Sequence, residues 1–319
     1  MKDSIIYYSV GALLYCPANS RSIADSVISE RYGKKFSLAL CLEDTIKEQH
    51  LREAEDILLH SLNSIYQAHR SRDFYLPKIF IRSRTPEQLC RLAERMGDRL
   101  ELLSGCIAPK FSMENADGFL SAIAGINRAS GHKLYLMPIL ESPDIVNLQS
   151  RYPVLYELKS KMDAFGDMIL NIRVGGNDLC HMFGLRRHAS QSIHGIRPVD
   201  SILSDILTVY GMDYVVSGPV WEYYRGAQWE TGLRKELEEE LLCGFVGKTV
   251  IHPNQIAPVN DMLRVPLKDL EDARAILHWD EGSDRLVSGS ISRERMNEYK
   301  THSNWAVRTL FLAEYYGTR

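Results

Sequence analysis

The chain has 319 residues, of which 45% are hydrophobic and 25% charged, close to globular averages. Its 38 Lys and Arg against 41 Asp and Glu leave a formal net charge of −3, so composition excludes the basic footprint of a nucleic-acid binder. No run approaches the ~20 apolar residues of a membrane span, and the start, MKDSIIYYSVGALLY, lacks a secretory-signal pattern.

The six cysteines form no C-x-x-C pair and no zinc-type cluster with histidine, and most sit in apolar runs. This usage predicts a reducing, cytoplasmic compartment. A chain of this length buries a large core without disulfides or structural metals.

Short apolar runs alternate with longer amphipathic stretches. The predicted strands, in chain order, are Ala12–Cys16, Leu38–Leu42, Lys78–Ile81, Ser104–Ala108, Leu134–Ile139, Met168–Val174, Tyr214–Ser217 and Thr249–Ile251. Continuous apolarity over so few residues predicts strands covered on both faces, as in a parallel sheet. Helical spacing separates them over Ser20–Ser29, Ile46–Ala68, Thr85–Arg95, Asn115–Ala129, Pro143–Phe165, Pro198–Tyr210 and Gln255–Leu263. Thr85-Pro86 reads as a cap followed by proline at the first helical position. Beyond Leu263 the pattern becomes a helix over Pro266–Trp279, a polar connection over Asp280–Gly289 and a long helix over Arg293–Tyr316.

Eight strands separated by helices predict a (β/α)8 TIM barrel with a C-terminal helical extension. The expected division is a barrel domain over 1–263 and an extension or lid over 264–319. The competing open sheet usually places a glycine fingerprint after its first strand, where this chain has Pro17-Ala18-Asn19. No phosphate-binding P-loop motif occurs either.

Barrel chemistry gathers at the carboxyl ends of strands. There the sequence places Glu43 and Asp44 after the second strand, Arg82 after the third, Lys110 after the fourth, Glu141 after the fifth and Asp178 after the sixth. Glu141 and Asp178 suit Mg2+, which takes one or two carboxylates and fills its other positions with water and substrate oxygens. The alternative is a solvated loop acid or a helix cap. Arg82 is suited to clamping a substrate carboxylate, or to a structural ion pair with Glu43 or Asp44. Glu43 and Asp44 suit acid–base work, or capping of the next helix. Gly175-Gly176 allows either close backbone approach to a ligand or a plain turn. His181, His188 and His194 do not match a helical zinc pair and read as exposed or core-satisfied. Arg186-Arg187 reads as exposed loop cations, and Glu236–Glu240 as a solvated helix face.

Seven segments then occur in one order. They are GALLYCPAN (Gly11–Asn19), ALCLEDTI (Ala39–Ile46), KIFIRSR (Lys78–Arg84), GCIAPKF (Gly105–Phe111), LMPILESP (Leu136–Pro143), GGNDLCHMFG (Gly175–Gly184) and GKTVIHPNQIAPVN (Gly247–Asn260). Together they resemble the citrate lyase β-subunit-like family of C–C bond lyases, in the pyruvate/phosphoenolpyruvate barrel superfamily. The last segment is the most specific. The resemblance implies a Mg2+-dependent lyase or aldolase acting on a 2-oxo or 3-hydroxy acid through an enolate. It implies Glu141 and Asp178 as metal ligands, Arg82 as the carboxylate clamp, Glu43 and Asp44 as acid–base or supporting groups, and a turn-fixing role for His252. Coenzyme A enters, if at all, as part of the substrate. A homo-oligomer is the expected assembly, with no nucleic-acid or membrane partner.

The chain departs from the family pattern at Gly11, where the family has arginine, and at Ala18, Asn177 and Met182. These departures resemble a divergent branch associated with tellurite-resistance and stress gene clusters. They leave open a thioester hydrolase or condensing enzyme on the same barrel, and a scaffold that has lost catalysis.

Overall fold

The computed structural model describes residues 3–279 and 285–319. Its parallel strands are β1 (Ala12–Pro17), β2 (Phe36–Cys41), β3 (Lys78–Arg82), β4 (Leu103–Ala108), β5 (Tyr135–Leu140), β6 (Ile172–Val174), β7 (Val216–Ser217) and β8 (Lys248–Val250). They follow chain order around one sheet, with β8 returning to pair with β1. A parallel bridge between Gly218 and Lys248 joins the last gap, with Val246 N–H donating to Val216 C=O at 2.8 Å. The sheet is therefore a barrel, as the run of eight apolar segments predicts. The strands are almost wholly buried, because each is covered by barrel interior on one side and helices on the other.

The helices around it are α1 (Ile23–Ile28), α2 (Leu51–Ser71), α3 (Pro86–Met96), α4 (Ala116–Ser130), α5 (Leu148–Asp163), α6 (Gly176–Met182), α7 (Arg197–Tyr210), α8 (Trp229–Cys243) and α9 (Ile256–Leu263). Thr85 caps α3 as its sequence predicts: the Oγ1 accepts from Gln88 N–H at 3.2 Å, and Pro86 occupies the first helical position. The predicted helix Pro143–Phe165 is interrupted. A 3-10 turn over Pro143–Ile145 precedes α5, and Asn147 caps α5 by accepting from Gln149 N–H at 2.9 Å. Neither α6 nor α8 is predicted as a full helix. The first starts at a glycine pair, and the second has a charged pattern that reads as solvated.

After α9 the chain forms α10 (Leu267–Leu277), a hairpin of β9 (Val287–Gly289) and β10 (Met296–Glu298), and α11 (Tyr299–Tyr316). The long helix expected from Arg293 thus begins after β10. Residues 280–284, within the predicted polar connection Asp280–Gly289, lie outside the described residues.

Helix α11 runs back to the amino-terminal end of the barrel. Tyr316 is buried there and its hydroxyl donates to Tyr8 C=O at 2.9 Å. Gly11 has φ of +60°, and a Cβ on it would lie 2.7 Å from the Tyr316 hydroxyl. Both constraints demand glycine. The departure at Gly11 is therefore a packing solution at the end of the barrel opposite the strand carboxyl ends.

Candidate active site

The strands end their apolar runs at one level. Parallel register places Cys41 beside Arg82, Arg82 beside Ile107, and Leu140 beside Val174. The residues that follow these strands therefore converge at the barrel mouth. A cavity of about 280 Å³ opens there, and Asp44, Arg82, Glu141 and Asp178 all line it. A second opening, of about 410 Å³, shares Asp44 and reaches Glu43 and Lys110. A larger groove of about 870 Å³ between α3 and α4 lies on the outside of the barrel, away from these strand ends.

Arg82 organises the acids. Its Nη2 lies 2.8 Å from Glu43 Oε2, 3.3 Å from Asp44 Oδ2 and 3.3 Å from Glu141 Oε1. The ion pairs with Glu43 and Asp44 foreseen as one alternative are present, and Glu141 joins them. Nη1 has only a 3.9 Å contact with Cys41 Sγ, and the buried Nε has no partner. Lys110 ties the same group from β4. Its backbone N–H donates to Glu141 Oε1 at 2.9 Å, and its Nζ reaches Glu43 at 2.6 Å and Asp44 at 3.1 Å. Lys110 has φ of +46°, a left-handed conformation that a lysine adopts at a cost of about 1–3 kcal/mol. That strain aims its N–H at Glu141.

Glu43 and Asp44 do not cap the following helix. Glu43 accepts from Asp44 N–H at 2.9 Å, and both carboxylates face the cations. Their environments push them apart. Burial and the bond to Asp44 raise the Glu43 carboxyl above its ordinary range. Partial burial works against the charge of Asp44, but its bonds to Glu43 and Lys110 outweigh this and hold it below the usual range. Burial raises Glu141 to about 7, opposed by Arg82 and reinforced by the negative charge of Asp178. Arg82 is also buried, yet Tyr15, Glu141 and Glu43 hold its charged form more firmly than usual.

The glycine pair after β6 serves packing. A Cβ on Gly175 would lie 2.0 Å from Glu141 Oε2, so only glycine lets this carboxylate occupy its position. A Cβ on Gly176 would meet Pro219 and Ile193. Close approach is required, and what approaches is the protein's own glutamate and core.

Asp178 sits in the first turn of α6, half-buried at the cavity wall. Glu141 Oε1 takes the contacts with Arg82 and Lys110, while Oε2 lies against Gly175. Among the described residues no group of three or more His, Cys, Asp or Glu side chains is arranged to hold a metal. Two carboxylates, one coupled to the charge of the other, still fit Mg2+, whose remaining positions are filled by water and substrate oxygens. His181 and His188 are exposed, and His194 pairs with Asp200 at 2.8 Å. In the Gly247–Asn260 segment, His252 Nδ1 accepts from Asn254 N–H at 3.1 Å and the ring stacks on Tyr224. Gln255 accepts from Ile251 and His252 N–H groups and donates to Trp221 and Tyr223 carbonyls. This motif fixes the turn from β8 into α9.

Two sequence expectations are overturned. Arg187 is not an exposed loop cation: it is 2% exposed and bonds Glu236 at 3.1 Å, whereas Arg186 is exposed beside Glu222. Glu236 and Glu240 are not on a solvated face. Both are buried against Lys248, because α8 turns them onto β8. The ties of Lys110 to Glu43, Asp44 and Glu141 are not assigned from sequence, although its place at a strand end is a signal. Arg173 gave no signal at all. It sits within the apolar run of β6, where its neighbours mark it as core, yet it lines the cavity.

Comparison with known proteins agrees with this architecture. The model of a family described as C–C bond lyase of the TIM-barrel fold matches residues 4–318. No curated protein is significantly similar in sequence. Among solved structures, CitE of Mycobacterium tuberculosis in complex with magnesium, acetoacetate and coenzyme A is 17% identical with a TM-score of 0.64, covering 97% of this chain and 99% of that one. A citrate lyase from Burkholderia xenovorans LB400 is 12% identical with a TM-score of 0.70, covering 97% and 93%. The citrate lyase β subunit of M. tuberculosis complexed with oxaloacetate and magnesium is 15% identical with a TM-score of 0.52, covering 81% and 99%. The chain belongs to the C–C bond lyase family.

Proposed function

We propose that this member of the C–C bond lyase family cleaves or forms a carbon–carbon bond next to the carbonyl of a 2-oxo or 3-hydroxy acid, with Mg2+ at Glu141 and Asp178. The observation that carries this reading is the meeting of those two carboxylates with Arg82 and Asp44 in one cavity at the barrel mouth. The two Mycobacterium tuberculosis relatives are complexed with magnesium and with acetoacetate or oxaloacetate, which supports it.

When bound, the metal supplies Lewis-acid stabilisation of the negative charge that develops on the carbonyl oxygen. The chain's own groups do the rest. Arg82 opposes the effect of burial on Glu141 and holds it in place, and its weakly engaged Nη1 offers a donor to a substrate carboxylate. Asp44, held in its ionised form at the cavity rim, takes the hydroxyl proton of a 3-hydroxy acid. As that proton leaves, the C–O oxygen becomes a carbonyl, and the C–C bond electrons pass to the departing fragment as an enolate, which is then protonated. Glu43, with its carboxyl raised, holds a proton that can be returned to that carbon. Lys110 keeps both acids aimed at the mouth.

The opening beyond Asp44 offers room for an extended acyl portion, as a coenzyme A thioester requires. A relative bound to acetoacetate and coenzyme A favours that extension. Homo-oligomerisation and a cytoplasmic setting complete the reading; no helix among the described residues is long and apolar enough to cross a membrane.

The test is calorimetric titration of Mg2+ with and without pyruvate, followed by turnover assays on 3-hydroxy acids and their coenzyme A thioesters. Cooperative binding of metal and 2-oxo acid, abolished in Glu141→Ala, is expected. Full Mg2+ affinity and activity in that variant would overturn the metal assignment.

A further inference from the structure

Arg173 is a buried cation without an anion. It projects from β6, is 1% exposed, and lines the same cavity as Glu141 and Asp178. Its Nη2 donates to Thr249 Oγ1 at 2.6 Å, its Nη1 has a long 3.4 Å contact with Asn171 Oδ1, and Tyr15 adds a side-chain hydrogen bond. Its Nε is buried and unpartnered. All of these partners are neutral oxygens. Among the described residues no carboxylate lies within ion-pair distance of it.

Arg82 shows by contrast what a charge-matched arginine looks like at this mouth, with three carboxylates on one nitrogen. The carboxylate whose charge reaches Arg173 is Glu240, on the far side of the sheet, and burial raises that carboxyl to about 8. It is engaged by Lys248 and makes no contact with Arg173. A guanidinium stays protonated in proteins, so this charge cannot be relieved by losing a proton. A desolvated, unpaired charge is costly, and an anionic ligand group entering the cavity would offset that cost.

We infer that Arg173 binds a second anionic group of the substrate, most simply a carboxylate remote from the one held beside Glu141 and Asp178, so that the site selects dianionic over monoanionic 2-oxo acids. This rests on the proposed function above. The guanidinium of Arg173, already steadied by Thr249 and Tyr15, leaves the weakly engaged Nη1 for an incoming oxygen. Arg173 touches substrate in this assignment and sets specificity; it moves no proton.

The experiment compares oxaloacetate with pyruvate, which differ by one carboxylate-bearing carbon. Each is titrated calorimetrically at saturating Mg2+ into the wild-type protein, Arg173→Gln and Arg173→Lys. Wild type is expected to bind oxaloacetate more tightly than pyruvate by at least tenfold. In Arg173→Gln, oxaloacetate affinity falls by roughly 10–100-fold while pyruvate affinity stays within about threefold, the range for losing one charged hydrogen-bond partner. Arg173→Lys keeps the charge, secures a folded comparison and recovers part of the selectivity. Equal weakening of both acids, or unchanged selectivity, would overturn the assignment of Arg173 alone. Failure of the wild type to bind either acid would overturn the proposed function and this inference with it.

Discussion

Two buried charge clusters invite comparison, one at the barrel mouth and one between β8 and α8, and of the two only the mouth opens to a cavity. At the barrel mouth, Arg82 and Lys110 meet Glu43, Asp44 and Glu141. Between β8 and α8, Lys248 meets Glu236 at 2.6 Å and also contacts Glu240, while Arg187 bonds Glu236. Burial pushes carboxyls up in both clusters, Glu141 to about 7 with Glu43 also raised at the mouth, and Glu240 to about 8 beside α8. In the second cluster Lys248 and Arg187 outweigh burial at Glu236 and hold its carboxyl below the usual range, while burial raises Glu240. A raised carboxyl alone therefore does not mark an active site. Access and unmatched charge do. All four members of the α8 cluster are at most 2% exposed, while the mouth adds Asp178 and an open wall.

The largest expected effect separates the clusters by stability. Lys248→Met leaves Glu236 and Glu240 with Arg187 alone and is expected to destabilise the fold by about 3–5 kcal/mol in chemical denaturation. The double change Lys248→Met with Glu240→Leu is expected to recover most of that loss. A double variant no more stable than Lys248→Met would show that the α8 cluster is not a self-contained charge balance.

Next comes the mouth. Glu141→Ala is expected to lower Mg2+-dependent turnover by at least about 100-fold while leaving the thermal transition in place. Gly175→Ala drives a methyl into Glu141 Oε2 and is expected to cost about 10–100-fold in the same assay, the scale of a misplaced catalytic group. Normal Mg2+ affinity in Gly175→Ala would remove the link between the glycine and the glutamate.

The third test uses pH. The Glu141 carboxyl is raised on folding, so the native state holds its proton after the unfolded chain has released it. Its contribution is complete below about pH 4.5 and is lost as pH rises toward 7, amounting to roughly 3 kcal/mol at most. Metal-free Glu141→Gln is expected to flatten the decline in stability across that window. An unchanged profile would mean that Arg82 and the Lys110 N–H compensate the buried charge fully. The smallest effect lies far from both clusters. Thr85→Ala removes the cap of α3 and is expected to cost about 1 kcal/mol, with catalysis unchanged.

The barrel was legible because each strand is an apolar run short enough to be nothing else once helices intervene. The meeting of charges at the candidate site was legible where a charge stopped such a run, as at Arg82, Glu141 and Asp178, which line one cavity. It was illegible where a charge lay inside one. Arg173 and Lys248 sit in strands and look misplaced until the sheet shows which face each occupies. The glutamates of α8 failed for the same reason: a helical run of acids is solvated unless a cation waits beneath it, and Lys248 is not adjacent in sequence.

The amino-acid sequence by itself determined the alternation of strands and helices, and with it the level at which Glu43, Asp44, Arg82, Lys110, Glu141 and Asp178 emerge. Local periodicity and the loss of apolar character at strand ends are short-range properties. Only the tertiary structure decided which buried charges are paired. Pairing depends on closing β8 against β1, on α8 covering Lys248, and on Gly175 admitting Glu141. It left Arg82 surrounded by carboxylates and Arg173 facing the cavity without one.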